Sequence, residues 1–188
     1  MTFHQGLIRV TTLAIVTVVA PAAMLAQPPQ PPKERPIDAA QVLTAIDHGI
    51  AFLKREQLPR GNWTEFPNYD GGVTSLCTLA LLNSGVSVDD PTVKQALNYL
   101  RGLELDKTYS VALQTMVLCA ATPKQDMLRI TRNVKWLEAN QIKDGPRKGA
   151  WSYPGPGGDN SNSQFAVRAL YDGPRGGVEC RRKTVTTT

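Results

Sequence analysis

Between residues 38 and 171 two kinds of apolar pattern alternate along the chain. The first is amphipathic. Val42, Leu43, Ile46, Ile50 and Leu53 recur at the spacing of one helix face, behind Asp38 as a cap and Gln41 as its capping-box partner, which predicts a helix over 38–55. The second is apolar with almost no charge on any face: GVTSLCTLALLNSG, residues 72–85, predicts a helix buried all round. A turn rich in Pro, Gly and Asn separates the two.

The alternation then returns. Asp90-Pro91 supplies an N-cap and a first-turn proline ahead of Val93, Ala96, Leu97 and Leu100, and the uncharged YSVALQTMVLCAA follows at 109–121. A third round opens at Thr122-Pro123-Lys124-Gln125, which reads as a capping box with proline at its first position. It carries Met127, Ile130, Val134 and Leu137 to about Asn140, and its partner is the shorter NSQFAVRALYDG, which contains Arg168. Three amphipathic-then-apolar pairs at a step of roughly 35 to 50 residues predict an all-α helical repeat array, charged helices outside and apolar helices inside. A six-helix bundle without repeats is the alternative.

The ends of the chain are of other kinds. Arg9 precedes an apolar run from Val10 to Ala20 that closes in small residues up to Ala26, a secretory leader pattern with cleavage expected after Ala26. The run is about half of the ~20 residues of a membrane span; an uncleaved N-terminal anchor is the alternative. Residues 27–37 are a proline-rich linker, an extended tether that could also serve a proline-recognising domain. The repeat domain is assigned to 38–172 and a disordered, basic, Thr-rich tail to 173–188.

Charge and cysteine content narrow the functional classes. The formal net charge is +5, but Arg9 and the tail account for most of it; residues 27–172 carry 16 basic and 15 acidic side chains. Such a balance offers no field for phosphates, so nucleic acid is not expected as a partner. Cys77, Cys119 and Cys180 lack Cys-x-x-Cys spacing and a neighbouring histidine, so neither a zinc site nor a disulfide framework is written. Cys77 and Cys119 lie in apolar stretches and read as small buried hydrophobes.

Two segments match each other beyond this periodicity: GIAFLKREQLPRGNW at 49–63 and NVKWLEANQIKDGPRKGAW at 133–151. Each runs aromatic, Leu, three residues, Gln, then Gly and Trp. The first uses Phe52, Leu53, Gln57, Gly61 and Trp63; the second uses Trp136, Leu137, Gln141, Gly149 and Trp151. The motif resembles the Gln-Trp repeat of squalene-hopene and oxidosqualene cyclases, found more loosely in protein prenyltransferases. Residues 96–105 look like a degenerate copy that keeps Tyr99 and Leu100 without Gln or Trp. Physically, Gln at a helix end can bond orphan carbonyls, Gly turns the chain and Trp covers the turn. The resemblance implies an α/α toroid of two concentric helix rings. With about six helices the chain supplies an incomplete one, since a closed ring of the family needs some ten to twelve.

The catalytic residues of that superfamily do not follow. The nearest string to the cyclases' Asp-x-Asp-Asp acid is SVDD, with Ser87 at the first acidic position and Asp89 and Asp90 explained as a loop acid and a helix cap. The prenyltransferase Asp, Cys and His zinc set has no counterpart, because His4 lies in the leader and His48 is expected to face solvent on the first helix. No base other than His48 is available to a Ser or Cys nucleophile, and the Gly-Cys-Gly-Glu-Gln string of thioester domains is absent. Catalytic residues, cofactor and metal are therefore expected to be none. The candidate binding loop is GAWSYPGPGGDNSNSQFA, 149–166, where Trp151, Tyr153, Asp159 and Asn160 could line a mouth; the plainer reading is a turn that starts the last helix at Asn160 or Ser161.

After Leu170 the repeat pattern stops, and a fragment or a shifted reading frame of a longer protein is the expectation. An open array should expose the apolar flank of its last repeat, giving marginal stability or self-association. The leading functional expectation is an exported, non-catalytic binding or structural module with an unknown protein, glycan or lipid partner. The alternative is a fragment of a terpenoid-cyclase-type enzyme, an isomerase or lyase acting on polyprenyl lipid.

Overall fold

The computed structural model describes residues 38–153, 159–175 and 177; the expectations for the leader, the tether and all but the start of the tail lie outside the described residues. Among the described residues it is all-helical, with six helices and no strand: α1 Ala39–Glu56, α2 Gly72–Asn83, α3 Pro91–Arg101, α4 Thr108–Ala121, α5 Met127–Ala139 and α6 Asn160–Arg175. No helix among the described residues is long and apolar enough to cross a membrane.

The alternation read from the sequence becomes two layers. The uncharged helices α2 and α4 pack side by side, and α6 packs next on α4. The amphipathic α3 lies against α2, and α5 lies against α4 and α6, each turning its apolar stripe inward. Equivalent stripes show how the array ends. Aligned on the motif leucine, Ile46 of α1 corresponds to Val93 of α3 and Ile130 of α5, both 0% exposed, whereas Ile46 is 39% exposed. The reason is positional: α3 and α5 each rest on a preceding inner helix, and none precedes α1 among the described residues.

An apolar flank is exposed on the first helix, where Val42 and Leu43 are also exposed. On α6 the corresponding edge is mixed: Phe165, Val167 and Tyr171, with Met116 of α4, line an apolar depression beside Arg168. Aligned on Asp70, Asp106 and Asp159, the positions of Leu79 and Leu82 in α2 and of Thr115 and Leu118 in α4, all buried or half-buried, become exposed Arg168 and Tyr171 in α6. Arg168 pairs with Asp172 at 2.9 Å and lies over the Tyr171 ring at 5.9 Å, so the charge on this edge is partnered.

Three local expectations are corrected. The Thr122–Gln125 capping box does not form; α5 starts at Met127, because the Thr122 hydroxyl is drawn to the Asp126 carboxylate and the Arg101 guanidinium. The helix α2 is not buried all round: Leu76 is 40% exposed, its face lining a cleft rather than protein. Finally, α6 continues through Arg175, past the expected boundary at 172.

Candidate functional site

Both Gln-Trp copies build the same bonded staple. The Trp63 indole Nε1 donates to the Leu53 carbonyl at 2.9 Å and the Trp151 Nε1 to the Leu137 carbonyl at 2.8 Å, so tryptophan takes the orphan carbonyl at the end of each outer helix. The backbone N–H of each tryptophan donates to a hydroxyl on the following inner helix, Thr74 at 3.2 Å and Ser163 at 2.9 Å. Gln57 and Gln141 donate not to the helix end but to the loop carbonyls of Gly61 at 3.0 Å and Gly149 at 2.8 Å. Gln57 also reaches the Thr92 carbonyl at 2.9 Å, tying the first repeat to the second. Gly61 must be glycine: its φ is +86° and a Cβ would stand 2.4 Å from the Gln95 carbonyl oxygen. Phe52, the aromatic of the first copy, is not in the staple; it is 51% exposed under the Arg55 guanidinium at 5.2 Å.

The degenerate copy keeps half of this chemistry. Leu100 has no tryptophan, and its carbonyl instead accepts from Gln114 Nε2 at 2.7 Å, while Gln114 Oε1 accepts from Asn133 Nδ2 at 2.8 Å. Ser110, which aligns with Thr74 and Ser163, is buried with its hydroxyl unpartnered, because the tryptophan N–H that the other two accept is missing. Where the other copies carry Gln, Glu104 pairs with Arg132 at 2.9 Å.

Two ion pairs also recur, and sequence reading missed them. The residue after the motif leucine pairs with the acid that precedes the next outer helix: Lys54 with Asp90 at 2.6 Å, and Arg101 with Asp126 at 2.8 Å. The signal was a basic residue directly after Leu53 and after Leu100. The bond from Lys54 lowers the Asp90 pKa. Burial by itself would raise that of Asp126, but bonds from Arg101 and Thr122 outweigh it and the net shift is downward. Asp90 also accepts the Thr92 N–H and Asp89 pairs with Lys94, so the SVDD acids are a helix cap and a loop acid.

A depression opens at the N-terminal ends of the inner helices. It is an apolar cleft of about 700 Å³, to which α2 brings Val73 and Leu76, α4 Tyr109 and α6 Phe165. Phe66, Tyr69 and Tyr153 close it from the loops. Tyr109 meets Phe165 edge to face at 4.8 Å and Tyr69 meets Tyr153 at 6.0 Å, arrangements that suit aromatic quadrupoles. Burial pushes the Tyr109 phenol above its ordinary pKa, so it stays a hydroxyl. Two carboxylates next to lining residues are occupied: Glu65 accepts the Val73 and Thr74 N–H groups at the start of α2, and Asp159 accepts the Ser161 hydroxyl and the Asn162 N–H at the start of α6.

Of the candidate loop, Tyr153 lines this cleft, at 44% exposure. Trp151 is instead buried in the core, Asp159 is a helix cap whose pKa falls through the Ser161 hydroxyl bond, and Asn160 is the exposed first residue of α6. Sequence reading missed Phe66, Tyr69, Tyr109 and Phe165; the available signal was a tyrosine just before or in the first turn of the uncharged helices α2 and α4. Cys77 and Cys119 are half-buried free thiols, and burial pushes both up to about 11, which keeps them unreactive. His48 is exposed on α1. No group of three His, Cys, Asp or Glu side chains among the described residues could hold a metal ion. No family model, curated protein or solved structure matches the chain.

Proposed function

We propose that the chain is an exported, non-catalytic binding module, an incomplete α/α toroid of three helix pairs that holds an apolar ligand in the cleft at the ends of its inner helices. One observation carries this reading. Aromatic rings from two inner helices and two loops converge on a cleft of ligand size whose lining, among the described residues, has no carboxylate, imidazole or thiol. Such a surface can bury a hydrocarbon or a flat ring. The repeated tryptophan staples support the toroid-type array, since they tie the starts of α2 and α6 to the preceding outer helices.

The test is a titration of the chain with an environment-sensitive apolar dye, displaced by dodecanol. Saturable binding near one site per chain is expected, weakened about tenfold by Phe165→Ala, the loss typical of removing an aromatic anchor. Absence of saturable binding, or an unchanged affinity in the variant, overturns the proposal. The same apolar lining favours a second reading, a fragment of a terpenoid-cyclase-type enzyme. Conversion of a polyprenyl substrate by the chain would select it.

A further inference from the structure

Beyond Tyr153 the aromatic cleft adjoins a depression of opposite character, about 380 Å³ in volume. Tyr153 lines both. The second pocket is framed by Asp106 and Lys107 ahead of α4, Trp136 and Asn140 at the end of α5, and Asn162 in the first turn of α6.

Its charges cancel in place: Lys107 Nζ lies 3.0 Å from the Asp106 carboxylate, whose side chain is otherwise 80% exposed and keeps acceptor capacity. Asn140 spends its Nδ2 on the Trp136 carbonyl at 2.9 Å, which leaves Oδ1 as an acceptor. Two aromatic side chains, Trp136 and Tyr153, stand in the same lining.

We infer that this pocket receives a neutral, hydroxyl-rich ring, a sugar, and that the ligand of the module is an amphiphile with its sugar beside Trp136 and Tyr153 and its apolar part in the aromatic cleft. The inference rests on the binding-module reading. Three chemistries can be weighed against the lining. A hydrocarbon would strip water from the remaining acceptor sites of Asp106 and Asn140 and offer nothing in return, which is costly. A phosphate would meet a single ammonium already paired and a carboxylate of its own sign. A sugar supplies donors to Asp106 and Asn140, acceptors to Lys107, and apolar ring faces to the two aromatic side chains.

Calorimetric titration of the full chain with octyl glucoside below its micellar range, octanol and octyl phosphate tests this. The glucoside is expected to bind about tenfold tighter than octanol, the gain of one or two satisfied hydrogen bonds. Asp106→Ala and Asn140→Ala should each shrink that preference while leaving octanol affinity unchanged. Equal affinities for glucoside and octanol overturn the sugar pocket and leave the binding module standing. Tightest binding of octyl phosphate overturns the choice of a neutral head. If none of the three binds, both readings fall together.

Discussion

Gln114 does for Leu100 what tryptophan does for Leu53 and Leu137: its Nε2 bonds the terminal carbonyl of an outer helix, at 2.7 Å. The middle repeat has no indole at this place, and the Leu100 carbonyl accepts from Gln114 of the neighbouring inner helix beside the Leu103 N–H at 3.2 Å. Gln114 is itself buried at 1% exposure and bonded to Asn133, so one side chain joins α3, α4 and α5.

Gln114→Leu should therefore destabilise by about 2–4 kcal/mol, since the Leu100 carbonyl and the Asn133 amide both lose a buried partner. Ser110→Ala, by contrast, removes a buried hydroxyl that has no partner. It should be neutral or stabilising by up to about 1 kcal/mol, whereas Thr74→Val should cost about 1–3 kcal/mol by stranding the Trp63 N–H. Urea unfolding of the three variants measures the ordering; an Ser110→Ala cost equal to that of Thr74→Val would contradict it.

The two repeat-linking ion pairs predict an acid-sensitive fold. Asp90 and Asp126 both have folded pKa values below their unfolded ones, so their stabilisation is complete above the unfolded carboxylate pKa, about 4, and disappears as pH falls through the folded values. The melting temperature should fall below pH 4, and Asp126→Asn should flatten the decline while lowering the plateau. The Asp90 side chain is 18% exposed and that of Asp126 7%, and the Lys54 partner of Asp90 is more open to solvent than the Arg101 partner of Asp126, so the larger share of the effect should follow Asp126.

Equivalent stripe positions should differ in cost. Ile130→Ala opens a core cavity and should cost about 2–5 kcal/mol, while Ile46→Ala, on the uncovered part of α1, should cost under about 1 kcal/mol. Ile46→Arg should also reduce any concentration-dependent association seen by sedimentation, because the exposed apolar stripe lies on α1.

Gly61→Ala and Gly145→Ala separate contact from conformation. Both glycines have positive φ, +86° and +83°, but only Gly61 has backbone within 4 Å of the added Cβ. Gly145→Ala should cost about 1–2 kcal/mol from the left-handed backbone alone. Gly61→Ala should cost clearly more, and should loosen the Gln57 bond to Thr92; thermal melts and amide exchange at the start of α3 report the two effects.

The helices and their two kinds were legible in the chain because each obeys a local rule. A cap followed by a 3.6-residue apolar stripe marked α1 and α3, and the absence of charge marked α2 and α4. The start of α5 was not legible, since the hydroxyl of Thr122 had a partner, Arg101, that only the preceding repeat could bring near. The Gln, Gly and Trp of each copy do meet in one staple, Phe52 does not, and the atoms bonded were not legible: which carbonyl a Gln or a Trp reaches depends on how the loop folds back over the helix end.

By itself the sequence determined what repeats: the alternation of amphipathic and uncharged helices, the position of each Gln, Gly and Trp, and the lack of a charge field or a catalytic acid string. These are properties of spacing and composition along one chain. Only the tertiary structure decided which stripe is left uncovered, how the middle repeat replaces its tryptophan, and which rings form a site. Val93 and Ile46 are alike in pattern and differ only in having or lacking an inner helix beneath them. Tyr69, Tyr109, Tyr153 and Phe165 stand far apart in the chain and become one surface because the starts of α2, α4 and α6 are packed together.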